Sequence, residues 1–92
     1  MRAVIGWLQA NGHPYCERRS AGQPGDDVLG AWPGVSLEIK DHNRLELAAW
    51  IDQAIEQSGG RPAVVIHKRR GKADPGAWYC TLTLADLARL LN

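Results

Sequence analysis

Three residues of this 92-residue chain have the types and the spacing to do chemistry together: Asp27, Glu38 and Lys40. Glu38 and Lys40 belong to the alternating run V-S-L-E-I-K at residues 35–40. In an extended strand, side chains two residues apart share a face, roughly 6.5–7 Å from each other. Val35, Leu37 and Ile39 therefore take one face, and Ser36, Glu38 and Lys40 the other. Asp27, in the acidic pair Asp26–Asp27, lies upstream with ten residues between it and Glu38. A turn at Trp32-Pro33-Gly34 would fold the segment around Asp27 back on this strand and bring the two carboxylates together. At ~4 Å they would repel by about 1 kcal/mol in bulk water and ~4 kcal/mol at a protein-like dielectric. A divalent cation reverses that sign, and oxygen-only ligands favour Mg²⁺ or Mn²⁺ over zinc. Such an ion polarises a phosphoryl oxygen and lowers the pKa of bound water. Lys40 is placed to orient that water or to stabilise charge on a phosphate. The set suits hydrolysis of a phosphodiester. The same letters also fit an edge strand with Glu and Lys turned to water, which does no chemistry.

The elements around this strand follow from periodicity. Val4, Trp7 and Leu8 predict a helix over residues 2–10, ended by Asn11-Gly12 and Pro14. Residues 15–20 fit a helical turn or a strand. Residues 21–25 are rich in Gly and Pro and predict a loop, and 27–30 a short strand. Residues 45–58 give the clearest helix, with Leu47, Trp50, Ile51, Ala54 and Ile55 in one apolar stripe and Gly59-Gly60 as its stop. A-V-V-I-H at 63–67 reads as a buried strand, and 78–82 as the next, joined by a long basic tip. A strand–helix–strand crossover makes the strands at 35–40 and 63–67 parallel. That neighbour would make 35–40 an inner strand, where Glu and Lys are costly unless partnered. Thr83 caps a last helix lined by Leu84, Leu87, Ala88 and Leu91, with Asp86 three residues after the cap.

Composition sets the outer limits. Ninety-two residues make one domain, and a domain this small buries about 60–65% of its unfolded surface, which favours a dimer. Hydrophobic residues make up 45% and charged residues 23% of the chain, the balance of a soluble globular protein. No apolar run approaches the ~20 residues of a membrane span, and the N-terminus lacks a signal-peptide pattern. These features predict a cytoplasmic protein. Cys16 and Cys80 read as free thiols. His13-x-x-Cys16 has no second pair and does not make a zinc site. The net charge is +1, but four of the eleven Lys and Arg residues crowd into residues 68–72.

The stretch G-D-D-V-L-G-A-W-P-G-V-S-L-E-I-K resembles the core of the PD-(D/E)XK nuclease superfamily. It looks closest to small phage and actinobacterial endonucleases related to Holliday junction resolvases. V-I-H-K-R-R-G and W-Y-C-T-L look like the same group, so the likeness spans roughly residues 16–82. The resemblance implies an α/β fold, a small mixed sheet flanked by helices in the order αβββαβ. It implies a Mg²⁺- or Mn²⁺-dependent endodeoxyribonuclease acting on DNA, with branched DNA as the preferred substrate. Asp27 matches the metal-binding aspartate, with Asp26 the alternative. Glu38 matches the second metal ligand and Lys40 the catalytic lysine. Glu17 lies where related resolvases place a further acid. The family's proline just before the aspartate is absent here, Gly25 and Asp26 standing in its place. Branched DNA has two strands to cut, and a two-fold homodimer supplies two sites. Other members, of the VRR-NUC, repair or restriction type, share this core. A catalytically silent nucleic-acid-binding protein of the same fold is the reading from another class.

The remaining candidates divide by position. Lys68, Arg69, Arg70 and Lys72 at the basic tip are expected to contact phosphates, together with Arg18 and Arg19, and such binding weakens with salt. A solvated hairpin tip has the same composition. Gln53 sits beside the helix stripe, where some superfamily members place a glutamine near the lysine; an exposed helical glutamine looks the same. Trp7 and Trp50 fall on helix stripes and read as core, leaving Trp32 as the tryptophan placed to stack on a base. Asp41-His42-Asn43 reads as a polar loop, and His67 as a strand-end residue.

Overall fold

The computed structural model describes residues 2–20, 25 and 27–92. Asp26 and all of the expected 21–25 loop except Gly25 lie outside the described residues. Helix α1, Arg2–Ala10, buries Val4 and Leu8, one turn apart. It closes where Gly12 takes a φ of +105° and the His13 N–H donates to the Leu8 carbonyl at 3.0 Å. Glu17–Arg18 forms strand β1 and Val28–Leu29 forms β2, an antiparallel ribbon pairing Glu17 with Leu29 and Arg18 with Val28. Within the ambiguous segment at residues 15–20, Glu17–Arg18 is therefore strand. Gly30 follows at φ +80°, and a Cβ there would lie 3.0 Å from the Tyr15 carbonyl oxygen. Only glycine lets the ribbon pass that close.

Strand β3 is Ser36–Lys40, helix α2 is Leu47–Gln57, and strand β4 is Ala63–His67. The crossover through α2 makes β3 and β4 parallel, with Ser36 opposite Ala63 and Lys40 opposite His67. Strand β5, Tyr79–Thr81, follows a 3-10 turn at Pro75–Ala77 and pairs antiparallel with β4. The sheet order is β3-β4-β5. The inner strand is thus β4, buried at all five residues. β3 is an outer strand, which corrects the expected inner position. The β1–β2 ribbon covers its open edge, beginning with the Asp27 N–H donating to the Leu37 carbonyl at 2.9 Å.

Alternation along β3 and β4 sorts the core into two layers. Leu37, Val64 and Ile66 pack with Val4, Leu8, Cys16, Val28 and Trp78 on the α1 side. Ala63 and Val65 pack with Trp50 and Ala54 on the α2 side. Helix α3, Leu84–Leu91, is capped as expected, the Thr83 hydroxyl accepting from the Asp86 N–H at 3.1 Å. Its orientation is not as expected: Asp86 is its buried residue, and Leu84, Leu87, Leu90 and Leu91 are exposed. The Asp86 carboxylate accepts from the Ala63 N–H at 3.0 Å, and Arg89 donates to the Gly60 carbonyl at 2.6 Å. β5 starts pairing only at Val65, opposite Thr81. Asp86 therefore satisfies a backbone donor at the start of β4 that the sheet leaves over. Among the described residues the chain is a small α/β protein of three helices, a two-stranded ribbon and a mixed three-stranded sheet. Among the described residues no helix is long and apolar enough to cross a membrane.

Candidate functional site

Asp27 is fixed at three points. Its N–H donates to Leu37, its carbonyl accepts from the Arg19 N–H at 2.8 Å, and its carboxylate Oδ2 accepts from the Ile39 N–H at 2.7 Å. The side chain thus stands where the next rung of a sheet would stand, on the edge of β3 at the residue after Glu38. One carboxylate oxygen is committed to that rung. A depression of about 220 Å³ opens next to it, lined by Arg18, Asp27, Ile39 and Asp41.

Glu38 is only 5% exposed. Its register partner is Val65, so it shares the face that α2 covers. Ser36 lies on the same face, fully buried, its hydroxyl without a hydrogen-bond partner among the described residues. Lys40 is half-buried at the open end of this face, and its Nζ donates to Gln53 Oε1 on α2 at 2.7 Å. Gln53, exposed on α2, therefore bonds the lysine.

The C-terminal end of the sheet carries a row that the sequence did not disclose. Lys40 stands opposite His67, and His67 opposite Tyr79. The His67 Nε2 lies 2.8 Å from the Thr81 hydroxyl. Burial pushes the His67 pKa below its ordinary 6.5. Its ring also meets Trp50 at 5.9 Å and Tyr79 at 6.1 Å between centroids, and Trp50 in turn meets His42 at 5.5 Å. Tyr79 is 55% exposed, with the Arg69 guanidinium 4.2 Å above its ring. The clue lay in β-register: once β3 and β4 are aligned in parallel, Lys40 and His67 fall side by side.

The basic residues have unequal freedom. Lys68 pairs loosely with Asp41 at 3.9 Å. Arg69 stacks on Tyr79 and donates to the Ala77 carbonyl at 2.7 Å, so it rigidifies the tip as well as charging it. Arg70 and Lys72 are exposed, as is Arg18 beside the Asp27 depression. Arg19 is half-buried on the chain leading to Asp27. Glu17 is exposed on β1 opposite Leu29 and does not line that depression. Trp32 does not line it either; it meets His13 edge-on at 4.5 Å and borders a larger cavity. That cavity, about 470 Å³, lies on the α1 side among Val4, Trp7, Leu37, Ile66, Trp78 and Leu90. It contains no acid or base apart from the Cys80 thiol, whose pKa burial raises. The polar groups gather at the outer edge and C-terminal end of the sheet, where ligands of open α/β sheets commonly bind.

Among the described residues no three or more His, Cys, Asp or Glu side chains converge as a metal cage. Mg²⁺ commonly takes one or two carboxylates and completes its shell with water and phosphate oxygens. Comparison with protein-family models, curated proteins and solved structures gives no match to this chain.

Proposed function

We propose that this chain is a Mg²⁺- or Mn²⁺-dependent endodeoxyribonuclease of the PD-(D/E)XK type, selective for branched DNA. The observation that carries the reading is the Asp27–Ile39 clasp, which ties an aspartate to the edge of the strand that carries Glu38, while Gln53 bonds Lys40 on the strand face of Glu38. The order α1-β1-β2-β3-α2-β4 is the element order of that superfamily's core and supports the same reading. Asp27 and Glu38 would hold the metal, which supplies Lewis-acid polarisation of the phosphate and a more acidic bound water. Lys40, held by Gln53, orients the attacking water and stabilises charge on the phosphoryl oxygens. The exposed Arg70, Lys72 and Arg18 draw the DNA backbone in, with Lys68 and Arg69 at the foot of the basic tip. In this scheme Glu17 is a peripheral acid, and branched DNA engages a homodimer in the cytoplasm.

A second reading has its own observation. Asp27 Oδ2 is already bonded to a backbone N–H, so the aspartate also serves as an edge clasp. If that is its whole role, the chain binds DNA without cutting it. The deciding experiment is a substrate panel of labelled four-way junction, flap, linear duplex and single strand, with Mg²⁺, Mn²⁺ or EDTA. The proposal expects metal-dependent cleavage, strongest on the junction. Equal cleavage of all duplexes points to a repair- or restriction-type nuclease. Salt-sensitive binding with no cleavage in any metal establishes the silent reading.

A further inference from the structure

Helix α1 breaks two rules of helix stability on one face. Arg2 puts a positive charge at the positive end of the helix dipole, and the first turn holds no acid to offset it. Gly6 stands mid-helix, where only proline is less favourable. Packing does not ask for that glycine: it is exposed, and a Cβ there would meet nothing within 4 Å. Arg2, Gly6 and Gln9 follow the spacing of a single helix face, turned away from the buried Val4 and Leu8. Local rules broken without a gain in packing mark a place that serves something other than the fold.

Strand β1 lies against this face. Arg2, Ile5, Gly6, Gln9 and Arg18 line a depression of about 300 Å³, with no acid among its described residues. Its two walls are tied together, Gln9 Nε2 donating to the Cys16 carbonyl at 2.9 Å just before β1. Arg2 and Arg18 are both exposed, and among the described residues neither guanidinium has an ion pair or hydrogen bond. Arg18 also lines the depression beside Asp27. The two depressions therefore meet at Arg18. One carries the carboxylates of Asp27 and Asp41, and the other carries two uncommitted cations beside a bare helix backbone.

We infer that the α1–β1 groove seats the sugar–phosphate backbone of a DNA strand, Arg2 and Arg18 bonding its phosphates while Gly6 lets it approach the helix closely. Guanidinium forks match phosphate oxygens in pairs. An acidic peptide would bring its carboxylates up to those of Asp27 and Asp41, whereas a phosphate chain meets such carboxylates through a divalent cation. The inference rests on the DNA-binding part of the proposed function and gives the strand a path, from the Asp27 depression over Arg18 onto α1. Arg2 thereby becomes a positioning residue for the substrate.

The test is fluorescence anisotropy of a labelled duplex and a labelled four-way junction over a series of salt concentrations, in EDTA so that nothing is cut. The full chain is compared with Arg2→Gln and Gly6→Glu. Arg2→Gln removes one phosphate contact and should lower the log–log salt slope by about 0.9. Gly6→Glu gives α1 a better helix former, so circular dichroism should show no loss of helix, and it sets a carboxylate in the groove. It should weaken binding roughly tenfold or more. Wild type that binds DNA, with slope and affinity unchanged in both variants, overturns the inference and leaves the nuclease reading standing. So does poly-L-glutamate that displaces the DNA as well as unlabelled DNA of equal charge. Wild type that binds no DNA overturns both. Binding lost in the variants of a chain that cuts nothing in any metal supports the inference and removes the nuclease.

Discussion

The two faces of the three-stranded sheet are built on different terms. The α1 face is apolar throughout: Leu37, Val64 and Ile66 meet Val4, Leu8 and Trp78, with nothing to titrate except thiols. The α2 face alternates small apolar residues with polar ones. Ala63 and Val65 lie there, but so do Ser36, Glu38, Lys40 and His67. A helix packed on a sheet needs no buried carboxylate, and an apolar side chain in its place would ordinarily be no worse for stability. The first face accounts for why the chain folds. The second holds groups that folding alone does not ask for, and this contrast is the reason to look for chemistry there.

Substitutions can break that contrast or sharpen it. The largest change in stability should come from the α1 face. Leu37→Ala should lower unfolding free energy by about 2–5 kcal/mol in urea titration, and any activity should fall only in step with unfolded protein. Asp27→Ala belongs to the edge, and removes the acceptor of the Ile39 N–H. It should cost about 1–3 kcal/mol, and it should also abolish cleavage under conditions where the variant is still folded. Ser36→Ala tests the polar face from the other side. Its hydroxyl is buried without a partner among the described residues, so removing it should raise stability by about 1 kcal/mol by the same measurement. A loss of stability there would mean that the polar face serves the fold.

The smallest effect is a pH dependence. Burial holds His67 below its ordinary pKa, so the unfolded chain takes up a proton that the folded chain resists. Stability from this group is complete above about pH 6.5 and declines as the pH falls from there toward the lower folded value. Urea unfolding at a series of pH values should show a shallower decline in His67→Gln than in the wild type. An unchanged slope would place the proton uptake on other groups.

Much of this was legible in the sequence where one element decides the outcome. The alternation of residues 35–40 put Glu38 and Lys40 on one face, and the 45–58 periodicity implied the parallel crossover, because both follow from local repeat alone. Less was legible where two distant segments share a bond. Nothing local marks Asp27 as a rung on β3, since its partner is the N–H of a residue twelve positions on. The Lys40–His67–Tyr79 row depends on register, which strand composition does not specify. α3 misled for a related reason. Its leucine stripe has the spacing of a core face, but the unfilled N–H of Ala63 and carbonyl of Gly60 attract Asp86 and Arg89, and the helix turns to satisfy them.

The most direct test of a chemical role for the α2 face is cleavage of a labelled four-way junction by wild type and Glu38→Gln, with Mg²⁺ and with EDTA. Glutamine keeps the size of the buried side chain and removes its charge. The account predicts Mg²⁺-dependent cutting by the wild type and none by Glu38→Gln, with both proteins giving the same circular dichroism spectrum and binding the junction alike. Equal cutting by the two proteins, or none by either in any divalent metal, would contradict it.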